Sequence, residues 1–124
     1  MAVINRCAIA VAPREPMRAW TRPFQTREDM EGLGDEETLY LVPTFDDEIE
    51  AQRCLEQHCA AIFSAELELW CRDRALWPEP LSPELFHRWF QVRLFPLVED
   101  LAEMPFQSYD KEGRLFTGPD VAAS

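Results

Sequence analysis

Two charged residues interrupt apolar stripes in this sequence. At about 100° per residue on a helix, Glu66 falls inside the stripe of Leu55, Cys59, Ile62, Phe63, Leu67 and Trp70, and Arg93 falls among Phe86, Trp89, Phe90 and Leu97. A buried charge must be paired or neutralised, because its desolvation costs several kcal/mol. Glu66 is therefore expected to meet Arg93, His87 or both. Such a contact serves either as an ion pair that fixes the register of two helices, or as a polar pocket. In the pocket, Arg93 would hold an anionic ligand, with Glu66 and His87 as acid or base.

Other chemistry is weakly supported. Cys54 and His58 stand four apart, a spacing that places two ligands on one helical face. Glu84 and His87 form Glu-x-x-His, half of the di-iron bundle motif. Neither pair has its complement elsewhere in the chain, so neither a metal nor a cofactor is expected. No Ser-His-Asp order, Gly-x-Ser-x-Gly, P-loop or Gly-x-Gly-x-x-Gly occurs, and four glycines leave little for a phosphate cradle. A nucleotide-using enzyme is disfavoured.

The elements that must position these residues follow from pattern. Cys7, Ile9 and Val11 alternate within Val3–Val11, which reads as a strand. Met17–Phe24 is a weaker strand candidate, and the polar run Gln25–Glu36 reads as a loop. Thr38–Val42 is apolar on both sides and is expected to be a strand covered on both faces. Thr44, with Asp47 three residues on, resembles a capping box and opens a first helix expected over Phe45–Asp73. After a connector containing Pro78 and Pro80, Ser82 caps a second helix with Pro83 at its first position. That helix is expected to run on to Leu101 with a kink at Pro96. Phe106–Tyr109 and Arg114–Thr117 flank a turn, and the tail from residue 119 is expected to fray.

Two helices joined by a short connector pack antiparallel. The expected class is α+β: two long antiparallel helices on a small antiparallel sheet of three to five strands. The expectation is one domain over 1–124, with strands and loop in 1–43, the helical hairpin in 44–104, a short hairpin in 105–118 and the tail in 119–124.

Composition narrows the function. The chain has 124 residues, 47% of them apolar, enough to fill a core. Its formal net charge of −11 disfavours nucleic acid as a partner. Charge is uneven: residues 1–34 hold five arginines against four acids, and residues 35–124 hold seven basic residues against 19 acids. No apolar run approaches the roughly 18 residues of a membrane span, and the apolar N-terminus lacks the basic stretch of a secretory signal. Four cysteines without a Cys-x-x-Cys pair fit a reducing cytoplasm.

One aromatic stands out of place. On the expected second helix, Phe95 shares the polar face with Glu84, Arg88 and Gln91. Phe95 is expected to cover either the C-terminal hairpin or a partner chain, and a two-fold homodimer burying Phe95 or the strand at Leu39–Val42 is the commonest form such a partner takes. The leading expectation is thus an acidic protein-interaction module that self-associates or neutralises a basic partner. The alternative is a ligand-binding or enzymatic domain built on Glu66, Arg93 and His87.

Overall fold

The computed structural model describes residues 2–26, 37–110 and 112–116. Its centre is a three-stranded antiparallel sheet in the order β3-β2-β4, with β2 at Cys7–Pro13, β3 at Thr38–Val42 and β4 at Phe90–Phe95. A short β1 (Ala2–Val3) pairs with β5 (Glu99–Asp100), and β6 (Ser108–Tyr109) pairs with β7 (Leu115–Phe116). Three helices complete the described chain: α1 at Glu15–Thr21, α2 at Glu48–Glu68 and α3 at Pro83–Trp89.

Register explains the core. Side chains alternate across a strand, so Cys7, Ile9 and Val11 share one face of β2 with their partners Val42, Tyr40 and Thr38 on β3 and with Leu94 and Val92 on β4. Helix α2 lays Leu55, Cys59, Ile62, Phe63 and Leu67 against this face. Phe63 has no exposed surface, and its ring lies 5.5 to 5.9 Å from those of Phe86, Trp89 and Phe90. These separations are the ones aromatic pairs favour. Among the described residues no helix is long and apolar enough to cross a membrane.

The mixed class stands, but the pair of long helices does not. Only α2 is long, with 21 residues. The second expected helix stops at Trp89, and Phe90–Phe95 forms β4 instead. Phe90, Val92 and Leu94 alternate with Gln91, Arg93 and Phe95, a period of two rather than 3.6. Six ladder partners along β2 supply the hydrogen bonds that a helix interrupted by Pro96 would lose.

Met17–Phe24 is corrected in the opposite direction. Pro16 sits in the first turn of α1, and Met17, Trp20 and Thr21 have helical spacing. The Trp20 indole donates to the Leu76 carbonyl at 3.0 Å, and its ring lies 6.3 Å from that of Trp89.

Helix α2 is shorter than the expected 45–73. Its N-cap is Asp47, not Thr44: the Asp47 carboxylate accepts from the Glu50 amide at 2.8 Å, while Glu50 accepts from the Asp46 amide at 2.8 Å. The C-terminal turn forms, but between two-residue strands, Ser108–Tyr109 and Leu115–Phe116, shorter than the expected 106–109 and 114–117. Asp110 accepts from the amides of Glu112 and Arg114, and Gly113 adopts φ 81°, which a glycine tolerates best. Most of the expected loop (residues 27–36) and the tail from residue 119 lie outside the described residues.

Candidate interaction face

Glu66 and Arg93 sit on opposite sides of the sheet. Glu66 is buried on the core side, on the last turns of α2. Its carboxylate accepts from the Tyr40 hydroxyl at 2.6 Å and from the Thr38 hydroxyl at 3.0 Å, both on the core face of β3. Burial pushes the Glu66 carboxyl above its ordinary range, and the two hydroxyl donors partly oppose that rise. Tyr40 is raised as well, first by burial and then by the adjacent carboxylate.

Arg93 pairs with Ala10 on β2 and so projects from the other face. There its guanidinium meets Glu37 at 2.7 Å and stacks 5.5 Å from the Phe95 ring. His87 is exposed on α3, its ring set edge-on to Phe86 at 5.7 Å. The expected Glu66–Arg93 contact is therefore replaced by two separate arrangements, a buried one anchoring α2 to β3 and a surface one on the open side of the sheet. The helical count failed because Arg93 lies on a strand, where alternation and not 100° steps decides the facing.

Cys54 and His58 do meet, with Sγ 3.6 Å from Nδ1. The same nitrogen lies 2.8 Å from the Cys54 carbonyl oxygen, one helical turn back. The neighbouring recess, about 310 Å³ in volume, is bordered by Asp46, Glu50, Arg53 and His58, and Glu66, His87 and Arg93 are not among its lining residues. Burial raises the Cys54 and Cys59 thiols, which disfavours the nucleophilic thiolate. Among the described residues no three His, Cys, Asp or Glu side chains group to hold a metal ion.

The open face of the sheet is the distinctive surface. Its floor is Ala8 and Ala10, both buried, with Ala12 at the rim. Pairing sets Leu41, Ala8 and Phe95 in one row and Leu39, Ala10 and Arg93 in the next. Leu39 is 58% exposed, Leu41 41% and Phe95 37%. The small floor residues are closed over by these taller neighbours, which carry the exposed apolar surface of this face. Arg93 reaches Glu37 across this floor of small side chains. Phe95 and two residues of the strand at 39–42, Leu39 and Leu41, thus lie on the same face of the sheet.

Ala8, Ala10 and Ala12 were legible as the alternate set to Cys7, Ile9 and Val11. Tyr40 and Thr38 carried no signal as partners of Glu66, since that contact is set by helix-to-sheet packing across 26 and 28 residues. No protein-family model matches the chain, and comparison with curated proteins and with solved structures finds no match.

Proposed function

We propose that this chain is a protein-interaction module whose binding surface is the open face of the β3-β2-β4 sheet. The observation that carries the reading is the exposure of Leu39, Leu41 and Phe95 around a buried alanine floor. A contiguous apolar surface on one sheet face marks a site of association. On this face Arg93 and Glu37 cancel each other, so the patch is locally neutral on a chain of net charge −11. Apolar burial would then supply affinity, and the surrounding carboxylates would restrict which partners approach. Neutralisation of a basic partner gains less support, because the acidic group placed in this patch, Glu37, is already paired with Arg93. A pocket built on Glu66, Arg93 and His87 gains none, since Glu66 is engaged on the core side and Arg93 on the other.

The test places a photo-reactive side chain at position 41 in producing cells, with position 56 on the exposed side of α2 as control. The reading requires a defined, mass-identified protein adduct at 41, whether with this chain or with another, and none at 56. Its absence at 41, or equal adducts at both positions, overturns the reading.

A further inference from the structure

The sheet has two outer strands, and they differ as edges. Among the described residues the backbone of β3 pairs with β2 alone, so alternate N–H and C=O groups along its outer side meet no strand. Edges of this kind are usually guarded by a charge, a proline or a bulge. β4 carries Arg93 within its run and Pro96 directly after it. β3 reads Thr-Leu-Tyr-Leu-Val, without charge or proline, and it pairs with β2 in unbroken register.

The strand is also held in place. The Glu66 carboxylate accepts from the hydroxyls of Thr38 and Tyr40, which anchors β3 from the core side. A strand already ordered by its own fold loses little freedom when another strand adds to it.

An unguarded edge takes a strand, and β3 is complementary to itself. Set antiparallel about Tyr40, two copies place Leu39 of each opposite Leu41 of the other on the open face. Thr38 then meets Val42, and Tyr40 meets Tyr40, on the core face. Apolar and aromatic pairs directly across a ladder stabilise it, whereas like charges there destabilise it. The flanks obey the same rule: Glu37 of one copy falls opposite Pro43 of the other. No carboxylate opposes another along residues 37–43, although each chain carries a net charge of −11.

We propose that two copies of this chain pair edge to edge along β3, antiparallel about a two-fold axis at Tyr40, and so join their sheets into one of six strands. This goes beyond the open-face reading: it gives Leu39 and Leu41 a partner strand and leaves Phe95 uncovered. The two-fold arrangement consumes both β3 edges, so association through them stops at the dimer. Five residues extend only about 17 Å. The contact is therefore smaller than the ~800 Å² per partner of a standard interface, and a dissociation constant on the order of 100 micromolar is expected.

The experiment uses the purified full chain between about 20 micromolar and 1 millimolar, a range that moves such an equilibrium from mostly monomer to mostly dimer by mass action. Sedimentation should follow that shift. Alternate backbone amides within 38–42 should exchange with solvent about threefold more slowly at the higher concentration, as outward N–H groups become paired. Register is tested with single charges at the two exposed leucines. Leu39→Glu and Leu41→Lys should each weaken self-association about tenfold. Mixed together, these two variants set the new charges opposite each other and keep one Leu–Leu pair. That mixture should associate about threefold more tightly than Leu39→Glu mixed with Leu39→Lys, which carries the same charges without opposing them.

Equal association of the two mixtures, or a dimer whose β3 amides exchange as fast as in the monomer, overturns the edge pairing and leaves the open face as the interaction surface. A chain that stays monomeric at the highest concentration also overturns it. The open-face reading fails separately, through the absence of a defined adduct at position 41 in cells.

Discussion

Glu66 is held by donors on another element, and that arrangement has consequences for pH. Its carboxyl is raised by burial, so the folded chain keeps the proton at pH values where the unfolded chain has lost it. Stability is then fully present below the unfolded value of about 4.3 and falls as pH rises through the higher folded value. Glu66→Gln should flatten this limb in urea melts recorded from pH 4 to 8, because the amide retains an acceptor for Tyr40 without titrating. A curve of unchanged slope would mean that Glu66 does not titrate in that window. Tyr40→Phe removes the 2.6 Å donor and leaves Thr38 as the remaining one. The expected cost is about 1–3 kcal/mol, the penalty of a buried acceptor losing a partner. Arg93 behaves differently. Its side chain is about half exposed in the pair with Glu37, so Arg93→Met should cost under about 1 kcal/mol. The double change with Glu66→Gln should be additive within about 0.5 kcal/mol, as for groups that share no partner. Strong coupling in that cycle would restore the direct pairing that the helical pattern suggests.

At the level of elements, local signals competed, and long-range pairing decided between them. Residues 90–95 satisfy both a helical stripe and a strict alternation. The β2 ladder resolves the choice, since Phe90, Val92 and Leu94 then face α2 together. Met17–Phe24 shows the converse: the bulky Trp20 and Phe24 suggested a strand, but Pro16 and Glu15 begin a helical turn. The start of α2 was legible to within a few residues, and the capping assignment is directly testable. Asp47→Ala should destabilise by about 1 kcal/mol in thermal or urea melts, the usual cost of losing a cap. Thr44→Ala, an exposed change outside the helix, should stay within about 0.5 kcal/mol. A reversed order would place the cap at Thr44.

For the whole molecule, charge and apolar exposure pull in opposite directions. Two copies each carrying −11 repel, while the exposed side chains of Leu39, Leu41 and Phe95 favour association by burial of apolar surface. Raising salt from 50 to 500 mM screens the repulsion, so self-association should strengthen by sedimentation or light scattering. Recognition of a basic partner through the carboxylates would weaken under the same change, and that outcome would favour the electrostatic alternative. The sequence by itself determined the alternation within β2, one long helix with its buried stripe, the C-terminal hairpin turn, the mixed class and the excess of acid. Each of these depends on neighbours within a few residues, where spacing and side-chain type suffice. Tertiary structure alone decided that residues 90–95 leave the helix, that Glu66 meets Tyr40 and Thr38, and that Phe95 joins Leu39 and Leu41 around an alanine floor. Those outcomes depend on antiparallel pairing between residues 27 to 87 positions apart and on the packing of α2 against the sheet. A one-residue change in register would turn every strand side chain to the opposite face.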